Sequence, residues 1–211
     1  MPDETKLNEV AKTNEGMEVI ELDITNSNYI DTLVTEISEK YPELNVLILN
    51  AGMMKLEKIG DNDIQIAKST VATNLIGQIE LNSKLLSVLE SNKDSIIITV
   101  SSGLAFIPSS RFPTYCATKA AIHSYTQSLR TQLKNRGIQV IELIPPYVQT
   151  ELINPEQATD PDAMPLPDFI NEVTTLLEEK PEIDEVQVER VKYFSTAEST
   201  GAYKDRYTEL N

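Results

Sequence analysis

Three short, mainly aliphatic runs constrain this chain most: Asn45 to Asn50 (NVLILN), residues 96–100 (IIITV) and residues 139–144 (QVIELI). Each is too short for a buried helix of ordinary length. Each suits a strand buried on both faces, where side chains need apolar cover whichever way they point. Helical spacing fills the intervals. Residues 27–41 place Ile30, Leu33, Val34 and Ile37 on one face. Residues 62–90 carry a long helical pattern with a break near its start. Residues 114–135 form a further helix that Gly137 can stop. Residues 17–25, MEVIELDIT, read as one more β-branched strand. Strand and helix in alternation imply an α/β fold, a doubly wound and mostly parallel sheet with helices on both faces.

The pattern changes after Thr150. Residues 154–168 hold four prolines and no glycine, which makes a loop. Residues 168–179 read as a helix, DEVQV at 184–188 as an edge strand, and 189–210 as a short helical finish. No composition shift divides the chain, so its 211 residues are read as one domain. The net charge of −15 excludes a basic stripe for nucleic acid and sets the surface against anionic membranes. A lone cysteine, Cys116, forbids an internal disulfide. The polar, acidic start MPDETKLNEV lacks the basic and apolar regions of a signal peptide, so a cytoplasmic location is expected. With one histidine, His123, and one cysteine, no zinc site is expected. His123 reads as a structural or interfacial residue, and Cys116 as a small packed thiol.

The chemistry concentrates in residues 101–121. Tyr115 and Lys119 stand four apart on a helix and share a face. An ammonium beside a phenol favours the phenolate and lowers its pKa from about 10, which would ready the tyrosine for acid/base work. Ser102 follows a buried strand, where open α/β sheets place their ligands, and its hydroxyl can donate to a carbonyl oxygen.

These residues belong to a longer series. Asn50-Ala51-Gly52 follows a strand. Asn74-Leu75-Ile76-Gly77 lies in the next helix. Ser102 stands thirteen positions before Tyr115 of Tyr-x-x-x-Lys, and Pro145-Pro146-Tyr147-Val148-Gln149-Thr150 follows the third buried strand. Asp23 ends the run at 17–25. In that order and spacing the chain resembles the short-chain dehydrogenase/reductase superfamily over nearly its whole length. The tail VERVKYFSTAESTGAYKDRYTELN resembles a bacterial branch found with genes for D-alanylation of teichoic acids.

The resemblance implies an oxidoreductase that interconverts a carbonyl and a secondary alcohol with NAD or NADP. It implies a homodimer packed through residues 62–90 and 113–135. Tyr115 would donate or accept the proton, and Ser102 would polarise the substrate carbonyl. Lys119 would bind the nicotinamide ribose and tune Tyr115. Asn74 would hold a relay water. Asp23, with Ile24 beside it, would face the adenine, and Asn50, Ala51 and Gly52 would line the adenine ribose. Pro145, Val148 and Thr150 would hold the nicotinamide amide and the phosphates.

The chain departs from the family in two places. The family opens with a strand and a Gly-x-x-x-Gly-x-Gly turn whose amides hold the pyrophosphate. The seven glycines here, at 16, 52, 60, 77, 103, 137 and 201, do not fall in that pattern. The first two strands and their helices are therefore expected to be absent, leaving an incomplete Rossmann-like sheet and weak dinucleotide binding. An inactive fragment or a non-enzymatic binding module is the alternative reading. Pro146 also replaces the usual glycine and has no amide to donate.

Overall fold

Strands β1 (Val46–Leu49), β2 (Ser95–Val100), β3 (Ile138–Ile144) and β4 (Glu185–Gln187) form one sheet in the order β1-β2-β3-β4. All three pairings are parallel, with Leu47 opposite Ile97, Ile98 opposite Ile141 and Leu143 opposite Val186. The computed structural model describes residues 4–60 and 64–211. Parallel neighbours require crossovers, and helices supply them. The helices are α1 (Glu4–Thr13), α2 (Ser27–Lys40), α3 (Ile64–Val71), α4 (Gly77–Ser91), α5 (Pro113–Leu133), α6 (Leu166–Glu179), α7 (Lys192–Ser195) and α8 (Tyr203–Leu210). No helix among the described residues is long and apolar enough to cross a membrane.

Local chemistry accounts for the main boundaries. Asn26 caps α2, its side chain accepting from the Asn28 amide. Helix α5 starts with Pro113 in its first turn, where a missing amide costs nothing. Glu57 reaches the same end and accepts from the Thr114 amide at 2.9 Å and the Thr114 hydroxyl at 2.6 Å. A carboxylate there complements the positive end of the helix dipole. Gly137, at φ +72°, turns the chain from α5 into β3 in a conformation glycine adopts without strain.

The strands sort their side chains by face. One face packs Leu47, Leu49, Ile97 and Val140 against Leu81, Leu85 and Leu89 of α4 and Leu129 and Leu133 of α5. The other packs Ile141, Ile144 and Val186 against Phe169 and Val173 of α6. Burying one such side chain stabilises the fold by about 1.5–3 kcal/mol. The expected run at 45–50 is only half buried. Leu47 and Leu49 are 8% and 2% exposed, whereas Val46 and Ile48 are 40% and 56% exposed. Helix α6 lies over β3 and β4 and does not extend over β1, so the second face of β1 stays open.

Residues 17–25 are not a strand. They run as irregular chain, with a turn at Ile24 and Thr25. A strand needs a neighbour for its amides and carbonyls, and this segment instead turns Leu22 and Ile24 into the core shared with α2 and α4. The helical pattern at 62–90 is continuous from Ile64, with one turn of π-helix, Ala72–Ile76, between α3 and α4. The proline-rich segment includes a 3-10 turn, Pro155–Thr159, and α6 begins at Leu166, two residues earlier than its sequence suggests.

Candidate active site

The C-terminal ends of β1, β2 and β3 open onto a cleft of about 650 Å³. Its wall includes Asn50, Ala51 and Gly52 from beyond β1, Ser101 and Ser102 from beyond β2, and Pro145, Val148 and Thr150 from beyond β3. Tyr115 and Lys119 complete it from α5. A second cavity of about 450 Å³ shares Ser102, Tyr115, Pro145 and Pro146 with the first. Its other walls combine apolar Met54, Phe112, Phe194 and Leu210 with charged Arg111, Asp160, Asp162 and Arg190. Ser102 and Tyr115 therefore stand where the two cavities meet.

Each reactive group is held by its neighbours. Ser102 precedes a 3-10 turn, Gly103–Ala105, and its Oγ accepts from the Leu104 amide at 3.2 Å. That bond uses a lone pair of the hydroxyl and leaves its proton to be donated towards Tyr115. Tyr115 is buried, and burial pushes its phenol up to about 12, against a downward pull from a hydrogen bond with Ser102. Lys119 is also buried, and burial brings its ammonium down to about 8. Its Nζ donates to the Val100 carbonyl at 2.7 Å and lies 5.6 Å from the centre of the Tyr115 ring. The expectation that Lys119 lowers the Tyr115 pKa does not hold here. The lysine proton points to a backbone carbonyl, and desolvation of the phenol dominates.

Asn74 sits in the π-helical turn, fully buried. Such turns displace one side chain relative to a regular α-helix. Its Oδ1 accepts from the Met53 amide at 2.8 Å, while Nδ2 donates to the Met53 carbonyl at 2.9 Å and to Thr118 Oγ1 at 3.2 Å. That side-chain amide is committed to the chain, so Asn74 fastens the loop after β1 to α5. Gly52 lies between the two groups: a Cβ built there would stand 3.7 Å from Asn74 Oδ1 and 3.9 Å from Lys119 Nζ.

Asp23 and Ile24 are not part of the cleft. The Asp23 carboxylate accepts from the Thr25 amide at 3.0 Å and the Thr25 hydroxyl at 2.6 Å. Ile24 is core. Cys116 is packed, its Sγ accepting from the Ser109 amide at 3.3 Å. The sequence reading missed Gln157, Leu166, Phe169 and Ile170, which line the cleft. Gln157 donates to the Val148 carbonyl at 2.8 Å and to Thr150 Oγ1 at 3.0 Å, which holds the loop after β3 in place. The one local signal for this was Asn154 before Pro155, a cap that orders the turn carrying Gln157.

Residues 2–161 match the family model for short chain dehydrogenases. The chain belongs to the short-chain dehydrogenase family. The uncharacterized oxidoreductase DltE of Bacillus subtilis is 33% identical over 151 residues, which cover 71% of this chain and 60% of that one. An uncharacterized oxidoreductase of Staphylococcus saprophyticus is 29% identical over 155 residues, covering 71% of this chain and 66% of its own length. The chain thus spans less than two thirds of either relative. Among solved structures, a short-chain dehydrogenase from Sphingobium yanoikuyae in complex with NADPH aligns with a TM-score of 0.78 at 18% identity, covering 100% of this chain and 84% of that one. A short chain dehydrogenase from Burkholderia cenocepacia in complex with NADP gives 0.76 at 21% identity, covering 91% and 80%. At such identities these two establish the fold alone.

The cleft's chemistry fits a nicotinamide dinucleotide. Lys119 carries three N–H donors and spends one on Val100. Ser101 Oγ, buried in the same wall, has no partner among the described residues. Buried donors without acceptors suit a ribose diol or an amide. Gly52 is the one glycine among the described lining residues.

Proposed function

We propose that this chain is an NAD(P)-dependent oxidoreductase that interconverts a carbonyl compound and a secondary alcohol. The observation that carries this reading is the placement of the Ser102 and Tyr115 hydroxyls at the junction of two cavities, with Lys119 beside Tyr115. The wider cleft would take the cofactor, held by Asn50, Ala51, Gly52, Lys119, Pro145, Val148 and Thr150. The second cavity would take the substrate.

A reduced nicotinamide, when bound, supplies the hydride. The chain's own residues handle the oxygen. Ser102 donates a hydrogen bond to the substrate carbonyl and polarises it. Tyr115, fully protonated at neutral pH with its pKa at about 12, gives its proton to the same oxygen as negative charge develops there. Lys119, with a pKa of about 8, is largely protonated near neutrality and offers its free N–H donors to the cofactor's ribose. Asn74 and Gln157 position the loops after β1 and β3. Met54, Phe112, Phe194 and Leu210 give the substrate apolar contacts, and Arg111, Asp160, Asp162 and Arg190 in the same wall favour a carbonyl compound that also carries a polar or charged group.

Consumption of NADPH or NADH at 340 nm, with aromatic and aliphatic ketones offered to the full chain, tests this. Turnover is expected with at least one of them. Tyr115→Phe is expected to lower kcat by at least roughly 10²-fold while cofactor binding persists. Full activity in Tyr115→Phe would refute the assignment of the proton donor.

A further inference from the structure

A second group of chemically able side chains lies between α5 and the sheet, outside the residues that line the cleft. His123 follows Lys119 by one helical turn, Glu142 lies in the middle of β3, and Glu185 begins β4. The two glutamates are register partners on neighbouring strands, so their side chains project to the same face. Glu142 is 0% exposed. Like charges side by side on a sheet destabilise it, and a buried carboxylate needs a cation or several donors. The hydrogen bonds of Glu142's carboxylate come from a single group: His123 Nδ1 lies 2.9 Å from Oε1 and 2.8 Å from Oε2. The nearby cation Arg130 is directed elsewhere, to the Val140 carbonyl at 2.9 Å and to Asp184.

We propose that His123, Glu142 and Glu185 form a binding site for a divalent metal ion of the zinc or manganese type. The inference is independent of the reductase reading. One ligand atom from each residue lies within 4.8 Å of the others. A tetrahedral ion with bonds of about 2.0–2.2 Å draws its ligand atoms to about 3.4 Å apart. Rotation of the partly exposed Glu185 side chain would close the wider gap, and His123 Nδ1 and Glu142 Oε2, 2.8 Å apart around a shared proton, would open to that spacing once the ion replaces the proton. Two carboxylates and a neutral imidazole balance the charge of one divalent ion, whereas a protonated His123 can balance only one of the carboxylates.

The surroundings also suit a metal centre. Outer partners that orient each ligand are characteristic of such sites. The Gln127 amide lies 3.1 Å from His123 Nε2, on the ring side away from the glutamates. With its oxygen turned to the ring it accepts the Nε2 proton and frees Nδ1 for the metal. Gln187 donates to Glu185 Oε2 at 2.8 Å. Phe106 packs edge-on against the imidazole, with ring centres 4.8 Å apart, and fixes its plane. The His123 side chain is 22% exposed, which leaves a path for the ion and room for a water as fourth ligand.

The test uses the full chain after treatment with a chelator. Calorimetry with zinc chloride and with manganese chloride is expected to show one equivalent bound to the folded protein, with a rise in Tm. His123→Ala and Glu185→Gln should each weaken binding by at least roughly tenfold. Cobalt should give the visible spectrum of a tetrahedral ion with nitrogen and oxygen ligands, without the charge-transfer band of a thiolate, which sets Cys116 aside. Glu185→Gln retains the buried His123–Glu142 pair, so it separates metal binding from folding. If no metal binds, or if binding is unchanged in both variants, His123 and Glu142 are a structural pair only and the proposal fails.

Discussion

Tyr115 and Lys119 carry burial in opposite directions, and this has a measurable consequence at the residue scale. The unfolded chain holds the Lys119 proton up to its ordinary pKa of 10.5, while the folded chain releases it near about 8. Between those values folding expels a proton, so the penalty from this position is fully present below about pH 8 and fades as pH rises towards 10.5. Tyr115 behaves oppositely. Its folded pKa of about 12 lies above the ordinary 10, so the stability it contributes is present below pH 10 and lost as pH rises to 12. Lys119→Met should therefore stabilise the empty protein at pH 7 by up to about 3 kcal/mol. The variant should also show a flatter dependence of stability on pH between 8 and 10. Urea unfolding of both proteins at several pH values checks this, and equal slopes would show that Lys119 is not desolvated. The same substitution should abolish turnover, so the buried lysine trades stability for function.

Helix α4 begins against the irregular segment that replaces the expected strand. A Cβ at Gly77 would fall on the Ile24 carbonyl oxygen and within 2.9 Å of the Ile24 side chain. The last position of Asn-Leu-x-Gly thus has a packing reason: the backbone of residue 24 touches the helix directly. Gly77→Ala should lower stability by about 1–3 kcal/mol through overpacking. Chemical denaturation measures it, and an unchanged midpoint would mean that residues 17–25 lie elsewhere in solution. Most elements were legible from sequence at this scale. Helices α2 and α5 and strands β2, β3 and β4 stand within about two residues of their expected bounds. Periodicity, Asn26, Pro113 and Gly137 are local signals, and they survived folding. Residues 17–25 misled because β-branched composition states a preference for strand without supplying a partner. Helix α1 was not anticipated, although Leu7, Val10 and Ala11 fall at helical spacing.

Across the whole molecule, the consequential surface is the outer face of β1. Val46 and Ile48 are exposed, and only β2 pairs with this strand in the sheet. An edge strand with apolar side chains is a template for unwanted pairing. Ile48→Lys should reduce light scattering at high protein concentration while leaving the urea midpoint close to that of the parent. A large loss of stability would show that Ile48 is covered in solution. Self-association through α4 and α5, expected from sequence, has less apolar surface than the helical spacing suggested. Leu89, Ile122 and Leu129 are buried within the chain itself, while Ile79, Leu86 and Tyr125 stay partly exposed beside Ser83, Ser87, Ala117 and Ala120.

The sequence by itself determined the α/β class, the parallel order of the strands and the motif residues Ser102, Tyr115, Lys119 and Asn74. Spacing along a chain survives folding unchanged, and helix and strand periods are set by neighbours a few residues away. Tertiary structure decided what depends on distant partners. It left residues 17–25 as irregular chain packed on α4, since a strand forms only beside another strand. It turned the Lys119 ammonium to the Val100 carbonyl and left Tyr115 governed by desolvation, because a pKa responds to depth and to aim rather than to helical spacing. It also gave the lone histidine two carboxylates, Glu142 and Glu185, from strands 19 and 62 residues further along the chain. Counting histidines and cysteines could not foresee that arrangement, because strand register, a long-range property, brings those side chains together.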